Sequence, residues 1–263
     1  MRLTGSIVIL SLLVFTGCIN EKQSDFSKLN NLSGWTLQLS DPCTGDWQDN
    51  WFLDGEIATV VNSETGMNFS AGPVNRNDAH HAVLWTKDSF EGDIKIEYYY
   101  TRTDSQLVNV NILYIQASGI GREPYVEDIS AWSDLRKVPT MSIYYNYMRT
   151  YHISYAAFPM ENDDPEADYL RVRKYPVTEE ITFDDMEVPP AFYKTGLFLT
   201  GVEYKITVIK TASKLWFKVE GEDNEGEYSW DLEEENPIDK GRIGLRHMYT
   251  RSASYRDFRV YTK

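Results

Sequence analysis

Asp93 to Arg102 reads DIKIEYYYTR, and its alternation decides the fold class. Ile94, Ile96, Tyr98 and Tyr100 fall on one face, while Lys95 sits between Asp93 and Glu97 on the other. Successive side chains of a strand point to opposite sides, so this stretch builds one apolar and one solvated surface. The same period recurs downstream. Tyr204 to Lys210 (YKITVIK) alternates Tyr204, Ile206 and Val208, and Lys214 to Glu220 (KLWFKVE) turns Leu215, Phe217 and Val219 inward. Arg242 to Met248 and Arg256 to Thr262 supply two closing strands. β-Branched and aromatic enrichment with Gly, Asp and Asn punctuation favours antiparallel pairing. The one helical stretch expected lies between Tyr125 and Arg136, around DISAWSDLR. Many short strands without intervening helices predict an all-β protein, a two-sheet antiparallel β-sandwich of jelly-roll type with one curved face open as a groove. Ile94, Ile96, Ile206, Val208, Leu215, Phe217 and Leu245 are the expected core.

The chain start has a different character. Arg2 precedes the apolar run Ile7–Phe15 (IVILSLLVF), and Thr16-Gly17-Cys18 follows. That run is too short for a comfortable membrane span, and small residues ahead of a cysteine form a bacterial lipobox. The expectation is cleavage before Cys18 and its lipidation; the alternative is an ordinary signal peptide with a chance cysteine. Residues 1–18 are thus read as lipoprotein signal peptide and lipobox, 19–34 as a polar tether, and 35–263 as the jelly-roll domain. The chain is then a membrane-anchored lipoprotein of the cell envelope, periplasmic or surface-exposed. Cys43 is the only other cysteine, so neither a disulfide framework nor a thiolate metal site is expected. A net charge of −14 argues against a nucleic-acid partner, since phosphates demand a basic surface. The acidic stretches at 161–168, 179–187 and 222–235 read as solvated loops.

Candidate chemistry concentrates in the middle of the chain. Tyr169 to Tyr175 (YLRVRKY) places Tyr169, Arg171, Arg173 and Tyr175 on one face and Leu170 and Val172 on the other. Two guanidinium groups side by side offer forked donors that match carboxylate or sulfate oxygens. The alternative is pairing with protein carboxylates, Asp128 for example, and the two readings stay open. Met141 to Phe158 (MSIYYNYMRTYHISYAAF) contributes Tyr144 and His152; His152, Ser154 and Ala156 are expected on one face, Ile153, Tyr155 and Ala157 on the other. Ile112, Tyr114 and Gln116 share a face of Val108–Gly119, and His81 is in phase with Val83 and Trp85. Arg246 alternates with Leu245, and strict alternation puts His247 on the apolar side, as a buried, hydrogen-bonded histidine. Aromatic rings stack on sugar faces while amides and guanidinium groups bind hydroxyls, so the ensemble suits carbohydrate; any one of these residues alone reads as core packing. The candidate substrate-binding set is Gln116, Tyr114, Trp85, His81, Arg173, Tyr175 and Arg246. Arg171, His152 and Tyr144 are the candidate catalytic residues.

Several reactions lack their motifs. G-x-S-x-G and H-E-x-x-H are absent, no convincing E-x-D-x-x-E occurs, and no His/Asp spacing supports a metal, so neither metal nor cofactor is expected. β-Elimination from a uronic acid remains, because Arg or Gln can neutralise the carboxylate, His or Tyr can take the C5 proton and Tyr can protonate the leaving oxygen.

The segments DAHHAVLWTKDSFEGDIKIEYYYTR, NILYIQASG, DISAW, MSIYYNYMRTYHISYAAF, DYLRVRKY and GRIGLRHMYTRSASYRDFRVY together resemble the YesU-like family, domain of unknown function 1961, among the concanavalin A-like lectin/glucanase jelly rolls. The resemblance implies a two-sheet jelly roll and a setting of plant or algal polysaccharide use. It supplies no established reaction and no catalytic residue. The resulting expectation is an envelope enzyme on anionic, uronate-containing glycans. The rivals are a non-catalytic glycan-binding lipoprotein and a structural envelope protein.

Overall fold

The structure is a computed structural model that describes residues 24–31, 33–233 and 236–263. Among the described residues the strands are, in chain order, β1 (Thr36–Asp41), β2 (Trp51–Asp54), β3 (Thr59–Ser63), β4 (Gly66–Ser70), β5 (Ala82–Thr86), β6 (Phe90–Glu91), β7 (Ile94–Arg102), β8 (Asn111–Gly119), β9 (Met148–Ala157), β10 (Tyr169–Tyr175), β11 (Glu187–Tyr193), β12 (Glu203–Lys210), β13 (Lys214–Glu220), β14 (Glu225–Asp231), β15 (Lys240–His247) and β16 (Ser252–Thr262). They form two eight-stranded antiparallel sheets. Sheet A runs β14-β13-β12-β7-β16-β4-β3, with β1 also on β16; sheet B runs β11-β10-β9-β8-β15-β5-β2, with β6 also on β15.

The alternating strands read from sequence supply the layer between the sheets. Ile94, Ile96, Tyr98 and Tyr100 of β7 meet Leu113, Ile153, Tyr155, Leu170 and Leu245 of sheet B, and all are buried. Ile206, Val208, Leu215 and Phe217 complete this core as expected. Each such side chain stabilises the fold by about 1.5–3 kcal/mol relative to exposure. His247 is buried, with Nε2 2.8 Å from the Tyr255 hydroxyl, as alternation required.

Two positions break the expected phase. Ala156 has φ +44° and Gln116 has φ +52°, both in the left-handed region that non-glycine residues rarely adopt. Register shifts accompany them, between Tyr169 and Arg171 on the neighbour of β9 and between Ile115 and Ser118 on β8. Such bulges insert one residue and reverse the facing beyond it. Ala156 therefore joins the inter-sheet core and Ala157 the opposite cluster, the reverse of the alternation expected from sequence.

Helical structure also departs from expectation. Ile129–Arg136 is a kinked 3-10 segment, where a helix was anticipated, but Met141–Tyr147 forms a helix (α2) that the aromatic-rich sequence did not announce. Asp25–Asn30, inside the stretch read as a tether, forms a short helix (α1). Its Phe26 is buried against Ile209 and Trp216 on the outer side of sheet A. No helix among the described residues is long and apolar enough to cross a membrane. Cys18 and the apolar run before it lie outside the described residues.

Candidate functional site

The outer face of sheet B gathers most of the chemistry-bearing residues, and strand register explains how. Trp85 pairs with Gly244, Gly244 with Tyr114, Tyr114 with His152, His152 with Arg173 and Arg173 with Glu187. One row of cross-strand neighbours thus runs over β5, β15, β8, β9, β10 and β11. A second row, two residues along, holds Asp54, Val83, Arg246, Ile112, Ser154 and Arg171. Side chains directly opposite or diagonal across strands are within contact reach, so residues as far apart in the chain as Val83 and Arg246 meet here. Gly244 is required in the first row, because a Cβ there would lie 2.4 Å from the Trp85 ring.

The face is roofed, where an open groove was expected. Ile129, Trp132 and Tyr144 from the 3-10 segment and α2, with Tyr175 and Met186, pack on Val83, Trp85, Ile112 and Tyr114. The Trp85 and Tyr114 rings stack at 5.2 Å, and Tyr144 lies parallel to Tyr114 at 5.9 Å. Asp54 fastens the roof. Its Oδ2 accepts from Arg136 Nε at 2.6 Å, Trp85 Nε1 at 2.7 Å and the Tyr144 hydroxyl at 3.0 Å. The Asp54–Arg136 pair is fully buried. Burial raises the Asp54 carboxyl above its ordinary range, opposed by Arg136, and drives the Tyr144 hydroxyl well above the usual phenol value.

Arg246 lies at the deep end. Its Nη2 donates to His81 Nδ1 at 2.7 Å and to the Pro139 carbonyl at 2.6 Å, and its guanidinium stands 4.4 Å over the Tyr144 ring. Arginine only donates, so His81 accepts through Nδ1 and is the neutral Nε2–H tautomer. Burial and the Arg246 charge push His81 down to about 2. Among the described residues Arg246 Nε and Nη1 meet no acceptor in strict hydrogen-bond geometry, though the Tyr114 hydroxyl lies beside the guanidinium. Burial raises the Tyr114 hydroxyl above the usual phenol value, and Arg246 and Tyr175 beside it oppose the rise.

His152 is buried, with Nε2 3.5 Å from Ser154 Oγ and Nδ1 unpartnered. Burial first, then Arg173, Arg171 and Arg246, hold it far below the ordinary histidine range, so it is a neutral imidazole. Tyr175 meets its ring edge-to-face at 4.8 Å. Arg173 is 6% exposed and stands 4.5 Å over the Phe183 ring, and among the described residues its Nε has no partner. Among the described residues no carboxylate lies within ion-pair distance of Arg173 or Arg246. Arg171 is more open. It sits 3.5 Å from Glu187 and 3.3 Å from the Tyr169 hydroxyl. Asp128, anticipated as a partner for these arginines, pairs with Arg242 at 2.9 Å instead.

Register and packing therefore bring together Trp85, Tyr114, His152, Arg171, Arg173, Tyr175, Arg246 and His81. Gln116 is directed elsewhere. Its bulge turns the amide toward the strand edge, where Nε2 donates to the carbonyls of Phe90, Gly92 and Asp239. Tyr144 belongs to the roof and is committed to Asp54. Asp54, Arg136 and Phe183 were not found from sequence. Asp54 precedes a glycine and reads locally as a turn residue, and nothing in its neighbourhood signals a partner 82 positions away.

Glu187, which ends the first row, also lines a cleft of about 590 Å³ at the sandwich edge, together with Tyr175, Pro176, Ile181 and Met186. Cys43 is buried and its thiol is pushed up to about 12, which makes it a poor nucleophile. Among the described residues no group of three His, Cys, Asp or Glu side chains is disposed to hold a metal ion.

Two packed eight-stranded antiparallel sheets in this arrangement define a concanavalin A-like jelly roll. The chain belongs to the family described as domain of unknown function 1961, whose model matches residues 43–260. A Bacillus subtilis protein of unknown function with a galectin-like fold superposes with a TM-score of 0.65 at 18% identity, covering 87% of this chain and 98% of that one. Lectin II from Ulex europaeus gives a TM-score of 0.56 at 8% identity over 87% of this chain and 100% of that one. Basic winged bean lectin, solved with Tn-antigen, gives 0.58 at 7% identity over 87% and 98%. At these identities the likeness is one of fold. No functionally curated protein matches the chain significantly.

Proposed function

We propose that this protein recognises an anionic sugar, a uronate or similarly charged residue, on the outer face of sheet B, as an envelope lipoprotein anchored through Cys18. One observation carries the reading. Arg173 and Arg246, both more than nine-tenths buried, have no carboxylate at ion-pair distance among the described residues, and the nearest acid across from Arg173, Glu187, is closer to Arg171. Buried charge without a counter-charge is costly, and guanidinium groups are matched by carboxylates. The half-buried Tyr169 ring beside Arg171 suits a sugar face, and basic winged bean lectin, which shares this fold, is solved with Tn-antigen, which supports a sugar as the carrier of the charge. Calorimetric titration with galacturonate and mannuronate oligosaccharides tests it. Saturable binding that Arg173→Met abolishes is expected; equal binding by that variant would reject the assignment.

A second reading, β-elimination, is favoured by His152. A general base must be unprotonated, and burial with three nearby arginines keeps this imidazole neutral; the same depression weakens it as a base unless the bound uronate carboxylate offsets the arginine charges. In that reading arginine neutralises the uronate carboxylate, and His152 takes the C5 proton. The C4–O bond breaks as the C4=C5 bond forms, and Tyr175 protonates the leaving oxygen. Product would absorb in the ultraviolet as an unsaturated uronate. Absorbance that grows with wild-type protein and vanishes in His152→Gln supports the lyase, and binding without absorbance leaves the binder.

The anchor has its own check. Cys18→Ala should abolish lipid labelling and move the protein out of the membrane fraction, and unchanged labelling would refute the lipobox. A single acyl chain holds only weakly, so stable anchoring needs more than one chain on this cysteine.

A further inference from the structure

We infer that the site accepts only the terminal residue of an anionic glycan and cannot take an internal one; the inference rests on the uronate reading of the same site. Its basis is a gradient of exposure along the two rows. At one end Arg246, Tyr114 and Trp85 are 0% exposed. His152 and Arg173 follow at 1% and 6%, and the Arg171 and Glu187 side chains reach 23% and 33%. Solvent therefore meets the rows from the β10–β11 side alone.

The other end is sealed by contacts that belong to the fold. Arg136 is bound into Asp54, Tyr144 is stacked over Tyr114 and hydrogen-bonded to Asp54, and Arg246 is bound to the Pro139 carbonyl. A polymer threading across the sheet would have to break the buried Asp54–Arg136 pair. A chain end has no such obstacle. It needs only to replace the Phe183 ring on Arg173 and the Glu187 carboxylate on Arg171. Both residues come from the 176–187 stretch that follows β10. Beyond Arg173 the Tyr175 and Tyr114 hydroxyls, His152 Nδ1 and Arg246 Nη1, none in strict hydrogen-bond geometry with another described residue, would supply donors and acceptors for the hydroxyls and carboxylate of one sugar ring.

The test uses the full chain with galacturonic acid and with polygalacturonate in two length fractions, and the same series for mannuronate. Terminal recognition predicts that the monosaccharide binds and competes with polymer. It also predicts that the polymer concentration needed for saturation, counted in uronate residues, rises in proportion to chain length. Saturation independent of length, with no competition from monosaccharide, would overturn terminal recognition while leaving the anionic-glycan reading intact. Absence of binding to every member of both series would sink that reading and this inference together. Arg173→Met serves as the binding-null control, and Arg173→Lys, which keeps the charge, distinguishes lost recognition from lost folding.

Discussion

The outer faces of the two sheets handle positive charge differently. On sheet A, Arg256 meets Glu203 at 2.7 Å, Arg259 meets Asp257 at 3.5 Å, Lys218 meets Glu220 at 3.2 Å, and Lys95 meets Glu97 at 3.6 Å while standing 4.5 Å over Tyr261. These cations each have an acid on their own strand or, for Arg256, two strands away across β7. On sheet B the acids are spent elsewhere. Asp54 goes to Arg136, Asp128 to Arg242, and only the half-exposed Glu187 reaches Arg171. Arg173 and Arg246 are left with aromatic rings, a neutral histidine and a carbonyl. A surface that balances its charges internally asks nothing of a ligand. One that buries two guanidinium groups with no carboxylate at ion-pair distance among the described residues is the surface for which we propose an anionic ligand.

The sharpest way to break this contrast is to unfasten the roof. Asp54→Ala should destabilise the protein by about 3–5 kcal/mol, because it strands the buried Arg136 and frees Trp85 and Tyr144. Phe217→Ala, a cavity in the inter-sheet core, should cost a similar ~3–5 kcal/mol. Urea unfolding measures both. If Asp54→Ala costs less than about 1 kcal/mol, a typical surface ion pair's worth, the roof is not held as described.

A smaller effect concerns pH. His81 and His247 are pushed down to about 2 and about 3 by burial first and a neighbouring arginine second. Unfolded, each takes a proton near pH 6.5; folded, each stays neutral. The unfolded state therefore binds more protons below that pH. The stability these histidines contribute is complete above about 6.5 and is lost as pH falls toward the folded values, at up to about 1.4 kcal/mol per unit per histidine. Replacing His247 with Gln should flatten the stability–pH curve in that window by about this slope, as read by denaturant midpoints at several pH values. An unchanged slope would mean that His247 is protonated in the folded protein.

The smallest expected change is Arg171→Ala. Its ion pair with Glu187 is partly open to water, so the free protein should lose no more than about 1 kcal/mol, while uronate affinity falls strongly. A large stability loss with intact affinity would make the arginine a structural ion-pair partner.

Much of this was legible in the chain. Period-two alternation in β7, β12 and β13 correctly named the inter-sheet core, because strand facing is a local property. Leu170 and Val172 likewise put Arg171 and Arg173 on the opposite face, and phase with Val83 and Trp85 placed His81 there too. Phase failed at Gln116 and Ala156, where a bulge inserts a residue that no residue type announces. The helix at Met141–Tyr147 was hidden by its aromatics, which favour strands in isolation but here pack Tyr144 on Trp85 and Tyr114. The Asp54–Arg136 pair was invisible because a long-range ion pair leaves no periodic trace. So was the roof it fastens, and an open groove was expected in its place.

The central claim is that Arg173 is a buried cation awaiting an anion. Equilibrium unfolding of wild type and Arg173→Met, each with and without galacturonate or mannuronate, tests it most directly. A ligand at about a hundred times its Kd should stabilise the wild type by about 2.7 kcal/mol. Arg173→Met should be at least as stable as wild type without ligand, since it removes an uncompensated buried charge, and should gain nothing from the uronate. A variant that is severely destabilised on its own, yet still gains the full increment from the ligand, would contradict the account.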